Sequence, residues 1–202
     1  MKSSRFLLVP LLLLFAAQLA VPLAQVWQEE GIRRDGLPFT LALHPVDPYD
    51  IMRGRYLRLA FPEEGARVPP PAGSVEGDTV YAVLETGADG LAHIARLSAT
   101  PADNAFAVPL VIDTITAEDG STETLAQVFI PLTRFYLPED DAIAIDDLWR
   151  WRRNEENAPN IQASLGVRVK NGRIVAESLW LNGQPYHDWL RENAAKSDTK
   201  TP

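Results

Sequence analysis

The side chains best equipped for chemistry fall in two polar stretches. His44, Asp47 and Asp50 lie close together near the start, and Glu139, Asp140, Asp141, Asp146 and Asp147 form an acidic run further on. Hard oxygen donors of this kind suit Ca²⁺. Neither stretch has the D-x-D-x-D-G spacing of a dedicated calcium loop, so no metal site is assigned. Asp47 and Asp50 are expected instead to brace a turn by bonding nearby amides. Acyl-transfer chemistry needs a nucleophile, a base and an orienting group. There is no G-x-S-x-G, and the neighbours of Ser74, Ser98, Ser121, Ser164 and Ser178 offer no partner. His187-Asp188 is adjacent in sequence, which is not triad geometry. A Ser/Lys dyad of the kind used by signal-peptidase-like barrels would have to use Lys170, the lone lysine in the body of the chain. No catalytic residue and no cofactor is assigned. Trp149, Arg150, Trp151, Arg152 and Arg153 form the one basic-aromatic cluster. It is a candidate interaction surface around Trp149, Arg150, Arg152 and Arg153. The plainer alternative has Trp151 in the core and the arginines paired with Glu155 and Glu156. His93 is expected to be an ordinary surface or half-buried residue.

The elements that would carry these groups read as strands. Phe39–Leu43 alternates, and Arg55–Phe61 alternates strongly, with Leu57, Leu59 and Phe61 on one face. Between them lies a turn containing Asp47, Pro48 and Gly54. Pro62–Pro71 is a loop, because three consecutive prolines forbid both helix and ladder pairing. Thr79–Glu85 and Leu91–Leu97 flank Asp89-Gly90, a pair suited to the positive φ angles of a tight hairpin. Val108–Ile115 and Leu125–Leu132 read as two more strands. Ser164–Lys170 and Arg173–Leu181 form a closing hairpin around Asn171-Gly172. One helix is expected between Ile145 and Asn157, capped by Asp146 and stopped by Pro159. The tail over 194–202 is polar and expected to be disordered. The fold class is mainly β, a sandwich or small barrel built from hairpins with one short helix.

Ahead of this domain, Phe6 to Val26 is apolar apart from Gln18, Gln25 and two prolines. At about 1.5 Å per residue it spans roughly 30 Å, the thickness of a bilayer core. A cleaved signal has a shorter apolar region and a small-x-small site, which Pro22 and Gln25 spoil. A single transmembrane signal-anchor over 6–26 is expected. Lys2 and Arg5 hold a short tail, 1–5, in the cytoplasm and leave the rest outside it. Residues 27–38 read as a connector, with Trp27 at the membrane interface. The formal charge is −8 for the chain, and close to −10 once Lys2 and Arg5 are set aside. So acidic a domain is repelled by nucleic acid, and no nucleic-acid partner is expected. Without cysteine, the domain has neither disulfides nor thiolate chemistry.

Gly54, Tyr56 and Leu59 occupy the glycine, tyrosine and leucine of a G-D-Y-x-x-L-x-Y pattern, with Arg55 replacing its aspartate and Phe61 its last tyrosine. Asp47-Pro48 upstream, the Gly77–Leu84 segment with Asp89-Gly90, the Phe135-Tyr136-Leu137-Pro138-Glu139 turn and the Val169–Gly183 hairpin follow in order. On these residues the chain resembles the GDYXXLXY family of membrane-anchored bacterial proteins, from about Thr40 to Tyr186. The resemblance implies a domain over 39–193, anchored in the bacterial inner membrane and facing the periplasm. It carries no catalytic residues, and Arg55 removes the acid its position would offer. The expected function is non-enzymatic, with the membrane met through 6–26 and an envelope protein as partner. The alternative class is an envelope hydrolase or weakly Ca²⁺-dependent enzyme.

Overall fold

A computed structural model describes residues 4–44, 56–116, 122–145 and 161–198. Helix α1, Ser4–Asp35, leads into strand β1, Leu37–Leu43. Residues 27–38, read as a connector, are therefore helical as far as Asp35, and the strand starts earlier than Phe39. Gly36 makes the switch. Its amide bonds the Ile32 carbonyl at 2.8 Å, and a Cβ there would press on that carbonyl and on Val169 O. The turn can therefore close only around a residue without a side chain.

The body of the molecule is antiparallel β. Strands β2 (Tyr56–Arg58), β3 (Arg67–Val68), β4 (Thr79–Thr86), β5 (Ala92–Ser98), β6 (Ala105–Pro109), β7 (Val111–Thr116) and β8 (Thr122–Gln127) follow in order. Then come β9 (Arg134–Tyr136), a helix α2 over residues 139–145, β10 (Ala163–Lys170), β11 (Arg173–Leu181), β12 (Gln184–Pro185) and helix α3 (Tyr186–Asp198). They pair as β1-β10-β11-β12, β5-β4-β6, β3-β8-β7 and β2-β9. All four sheets share one core, in which Leu41, Val80, Leu84, Phe106, Leu110, Leu165, Leu179 and Leu181 are almost wholly buried. Burying a side chain of this size is worth about 1.5–3 kcal/mol.

Several expectations are corrected. Val108–Ile115 is two strands: Leu110 leaves the ladder to exchange hydrogen bonds with Gly77 and Asp78, so β6 pairs with β4 and β7 with β8. Leu125–Leu132 ends as a strand at Gln127, because the Val128 amide turns to Ala66 O. Of the strand expected over Arg55–Phe61, Arg55 lies outside the described residues and the ladder covers Tyr56–Arg58, although Leu57, Leu59 and Phe61 are buried as the alternation requires. The helix expected over Ile145–Asn157 begins earlier. Pro138 O accepts from the Ala142 amide, and Glu139, Asp140 and Asp141 complement the positive N-terminal dipole. The rest of that expected helix lies outside the described residues.

The tail is not disordered from residue 194, for α3 continues to Asp198. Tyr186, Trp189 and Leu190 recur at helical spacing and pack on the core, which gives α3 a reason to form. The fold therefore has more than one short helix.

The β10–β11 turn has Asn171 at φ 51° and Gly172 at φ 75°, the paired positive angles of a two-residue hairpin. A Cβ on Gly172 would meet the Tyr81 ring at 2.9 Å. Gly172 O also accepts from the Ala107 amide, which ties the turn to β6.

Candidate interaction surface

Strand β2 carries the tyrosine of the G-x-Y-x-x-L pattern, with its leucine, Leu59, just beyond the strand, and its partner is β9. The register sets Tyr56 opposite Tyr136, Leu57 opposite Phe135 and Arg58 opposite Arg134. The glycine-led stretch and the aromatic turn, far apart in sequence, thus form one ribbon. Leu57 on β2, with Leu59 and Phe61 beyond it, faces inward, and Phe135 is partly buried beside them. The outward face is Tyr56, Arg58, Arg134 and Tyr136. Arg134 lays its guanidinium over the Tyr56 ring, 4.6 Å from the centroid. Tyr136 meets Tyr56 edge-on, with centroids 6.1 Å apart and planes at 61°. Such cation–π and edge-to-face contacts fix ring orientation at low entropic cost. Tyr136 nevertheless remains 71% exposed.

Of the residues singled out in the sequence, Tyr56, Leu59 and Phe61 fall on or beside this ribbon. Leu59 is tied to it by its amide, which donates to Thr133 O at 3.1 Å. Asp47, Pro48 and Gly54 lie outside the described residues, as do Trp149, Arg150, Arg152 and Arg153. The sequence reading missed Arg58, Arg134 and Tyr136 as site residues. The aromatic turn was visible, but its pairing with the motif strand is a long-range contact that no local pattern announces.

Two histidine clusters lie elsewhere. His93 on β5 stands between two carboxylates, Nδ1 being 2.9 Å from Glu63 Oε1 and Nε2 3.4 Å from Asp89 Oδ2. The Glu63 hydrogen bond, helped by Asp89 and opposed by desolvation, raises its pKa above the usual 6.5. Asp89 is held below the usual carboxylate range, first by the Leu91 amide, which donates to it at 3.0 Å. In the second cluster, His187 Nδ1 is 3.3 Å from Asp141 Oδ2 and the ring stacks on Tyr186. Burial, then the charge of Asp141, pushes the Tyr186 hydroxyl pKa up, so it stays protonated and donates to Asp141. This clamps α2 to the start of α3. Among the described residues neither histidine bonds a Ser, and Lys170 pairs with Asp35 at 3.2 Å, not with a serine. Among the described residues, no group of three or more His, Cys, Asp or Glu side chains is placed to hold a metal ion.

These features define a mainly β protein built from antiparallel sheets, with Tyr56 of its motif on a two-stranded ribbon. The family model of the GDYXXLXY protein matches residues 18–179, and the chain belongs to the GDYXXLXY family. No curated protein and no solved structure matches it.

Proposed function

We propose that this chain is a single-pass protein of the bacterial inner membrane. Residues 6–26 of α1 anchor a non-enzymatic, periplasmic β domain whose β2–β9 ribbon binds a protein partner of the envelope. Among the described residues, which exclude the side chains of 4–9 and of residue 12, no helix is long and apolar enough to cross a membrane. The anchor is supported by the apolar run Phe6–Val26 in the sequence and by exposure around α1. Leu11, Leu13, Leu14, Phe15, Leu19 and Leu23 are all open to the surroundings. A helix apolar on every side needs an apolar environment, which the β domain does not supply.

The partner reading is carried by one observation: Tyr136 stands exposed beside a Tyr56 ring already locked by Arg134. Tyr and Arg dominate binding hot spots, and ordering them in advance reduces the entropy lost on association. The test compares detergent-solubilised full-length protein with the Tyr136→Ala and Arg134→Ala variants in pull-downs from envelope extracts. Envelope proteins enriched by the parent chain and lost with both variants support the reading. An identical captured set for all three, with membrane insertion intact, removes it.

A further inference from the structure

The C-terminal turns of α1 do not stand clear of the β domain. Gln28, Gly31 and Ile32 face Lys170, Asn171 and Arg173 at the tip of the β10–β11 hairpin, across an open groove of about 310 Å³. That volume is at the lower end of what a small-molecule site encloses. Ile32 is buried against the hairpin, and Arg173 Nη1 donates to Gln28 Oε1. Lys170 Nζ donates to Asp35, and this bond, with that of Arg34, lowers the Asp35 pKa. Both cations keep further N–H donors, since an ammonium has three and a guanidinium five.

The groove's position along α1 gives it meaning. The apolar run ends at Val26, and Trp27 beside it is 84% exposed. At about 1.5 Å per residue, Gln28 to Ile32 lie roughly 1.5–7.5 Å beyond Trp27. The headgroup layer on each side of a bilayer core is about 5–7 Å deep. The groove and the layer therefore coincide in depth. The charge is also out of keeping with the rest of the molecule. The chain carries a formal −8, yet where the domain meets α1 four cations, Lys170, Arg173, Arg33 and Arg34, outnumber the three anions Glu29, Glu30 and Asp35, the last of them paired with Lys170. An acidic domain held at an anionic surface is repelled unless cations occupy the contact.

We propose that this groove holds the phosphate headgroup of an anionic phospholipid of the membrane, with Lys170 and Arg173 as its ligands. The proposal rests on the anchored reading of α1. Arg173 supplies planar, paired donors for two phosphate oxygens and Lys170 a point charge beside them. Gly31 forms the open floor, for a Cβ at that position meets nothing within 4 Å.

The experiment uses the full chain. It is extracted into mild detergent, mixed with phosphatidylglycerol or phosphatidylcholine, and its retained lipid is counted by native mass spectrometry. The parent chain is expected to retain one phosphatidylglycerol in clear preference to phosphatidylcholine. Lys170→Gln with Arg173→Gln is expected to lower that retention roughly 30-fold, the effect of two basic side chains at an anionic surface. Gly31→Leu fills the groove with the charges and helix intact, and is expected to lower it as well. That variant decides the matter if the double substitution fails to fold. Equal retention by Gly31→Leu, equal retention of the two lipids, or displacement of lipid by inorganic phosphate overturns the proposal. Carbonate extraction of membranes separates the two claims. Protein released by carbonate overturns the anchor itself, whereas protein that stays embedded but retains lipid indifferently overturns the groove alone.

Discussion

The β10–β11 hairpin and the β2–β9 ribbon are both antiparallel pairs. In the hairpin, Ala163–Lys170 and Arg173–Leu181 are joined by two residues, run together for their full length and lie beside β1. Leu165, Val167, Val169, Leu179 and Leu181 point into the core from it. The ribbon pairs three residues with three others from a distant part of the chain, and its outer face is aromatic and cationic. A short ladder with long-range closure has little stability of its own, because loop entropy opposes it and few bonds offset that entropy. The ribbon borrows its stability from Leu57, Leu59 and Phe61 beneath it. The family's motif thus marks a surface that the scaffold holds in place, while the scaffold's stability resides in the hairpins.

That division is broken most severely from the hairpin side. Leu165 is fully buried at the centre of β10, and Leu165→Ala is expected to cost about 2–5 kcal/mol in urea unfolding of the detergent-solubilised protein. Gly172→Val combines a β-branched side chain at φ 75° with a clash against Tyr81, and about 2–4 kcal/mol is expected from the two together. If either variant unfolds at the parent urea midpoint, the hairpin is not the scaffold described.

The same contrast explains what could be read in advance. Thr79–Glu85, Leu91–Leu97 and both strands of the closing hairpin were legible to within a residue or so, because alternation and Asp-Gly or Asn-Gly turns are local signals. The break at Leu110 was not, since it depends on bonds to Gly77 and Asp78 that only the folded chain supplies. Helix α3 was hidden by its polar end, although Tyr186, Trp189 and Leu190 already carried the helical spacing. For the ribbon the motif strand and the aromatic turn were each visible. Their pairing was not, so Arg134 and Tyr136 went unrecognised as one surface with Tyr56.

Intermediate effects sharpen the boundary between scaffold and surface. Tyr186→Phe removes the hydroxyl that donates to Asp141 and leaves that carboxylate without one partner. A loss of about 1 kcal/mol is expected, measured by urea unfolding. Tyr136→Ala should change stability by no more than about 0.5 kcal/mol, because so exposed a ring contributes little to the core. A loss above about 2 kcal/mol would make Tyr136 part of the scaffold and remove the distinction drawn here.

The smallest expected effect joins the two regions. Glu63 follows the motif strand, His93 belongs to the β4–β5 hairpin, and their contact ties one to the other. Because Glu63 and then Asp89 raise the His93 pKa, the folded state holds that proton more tightly than the unfolded chain does. The resulting stabilisation is complete below the ordinary value of 6.5 and is lost as pH climbs through the raised folded value. His93 is about half exposed, so solvent screens the pair and the change is small. The melting temperature of the parent chain should therefore fall, relative to His93→Gln, as pH rises from about 6 to about 8. The difference should shrink in Glu63→Gln, which removes the largest cause of the shift and leaves Asp89 as the remaining one. Parallel pH profiles for the parent and His93→Gln would show that this contact carries no charge-dependent stability, leaving the motif strand and the hairpin coupled through their shared core alone.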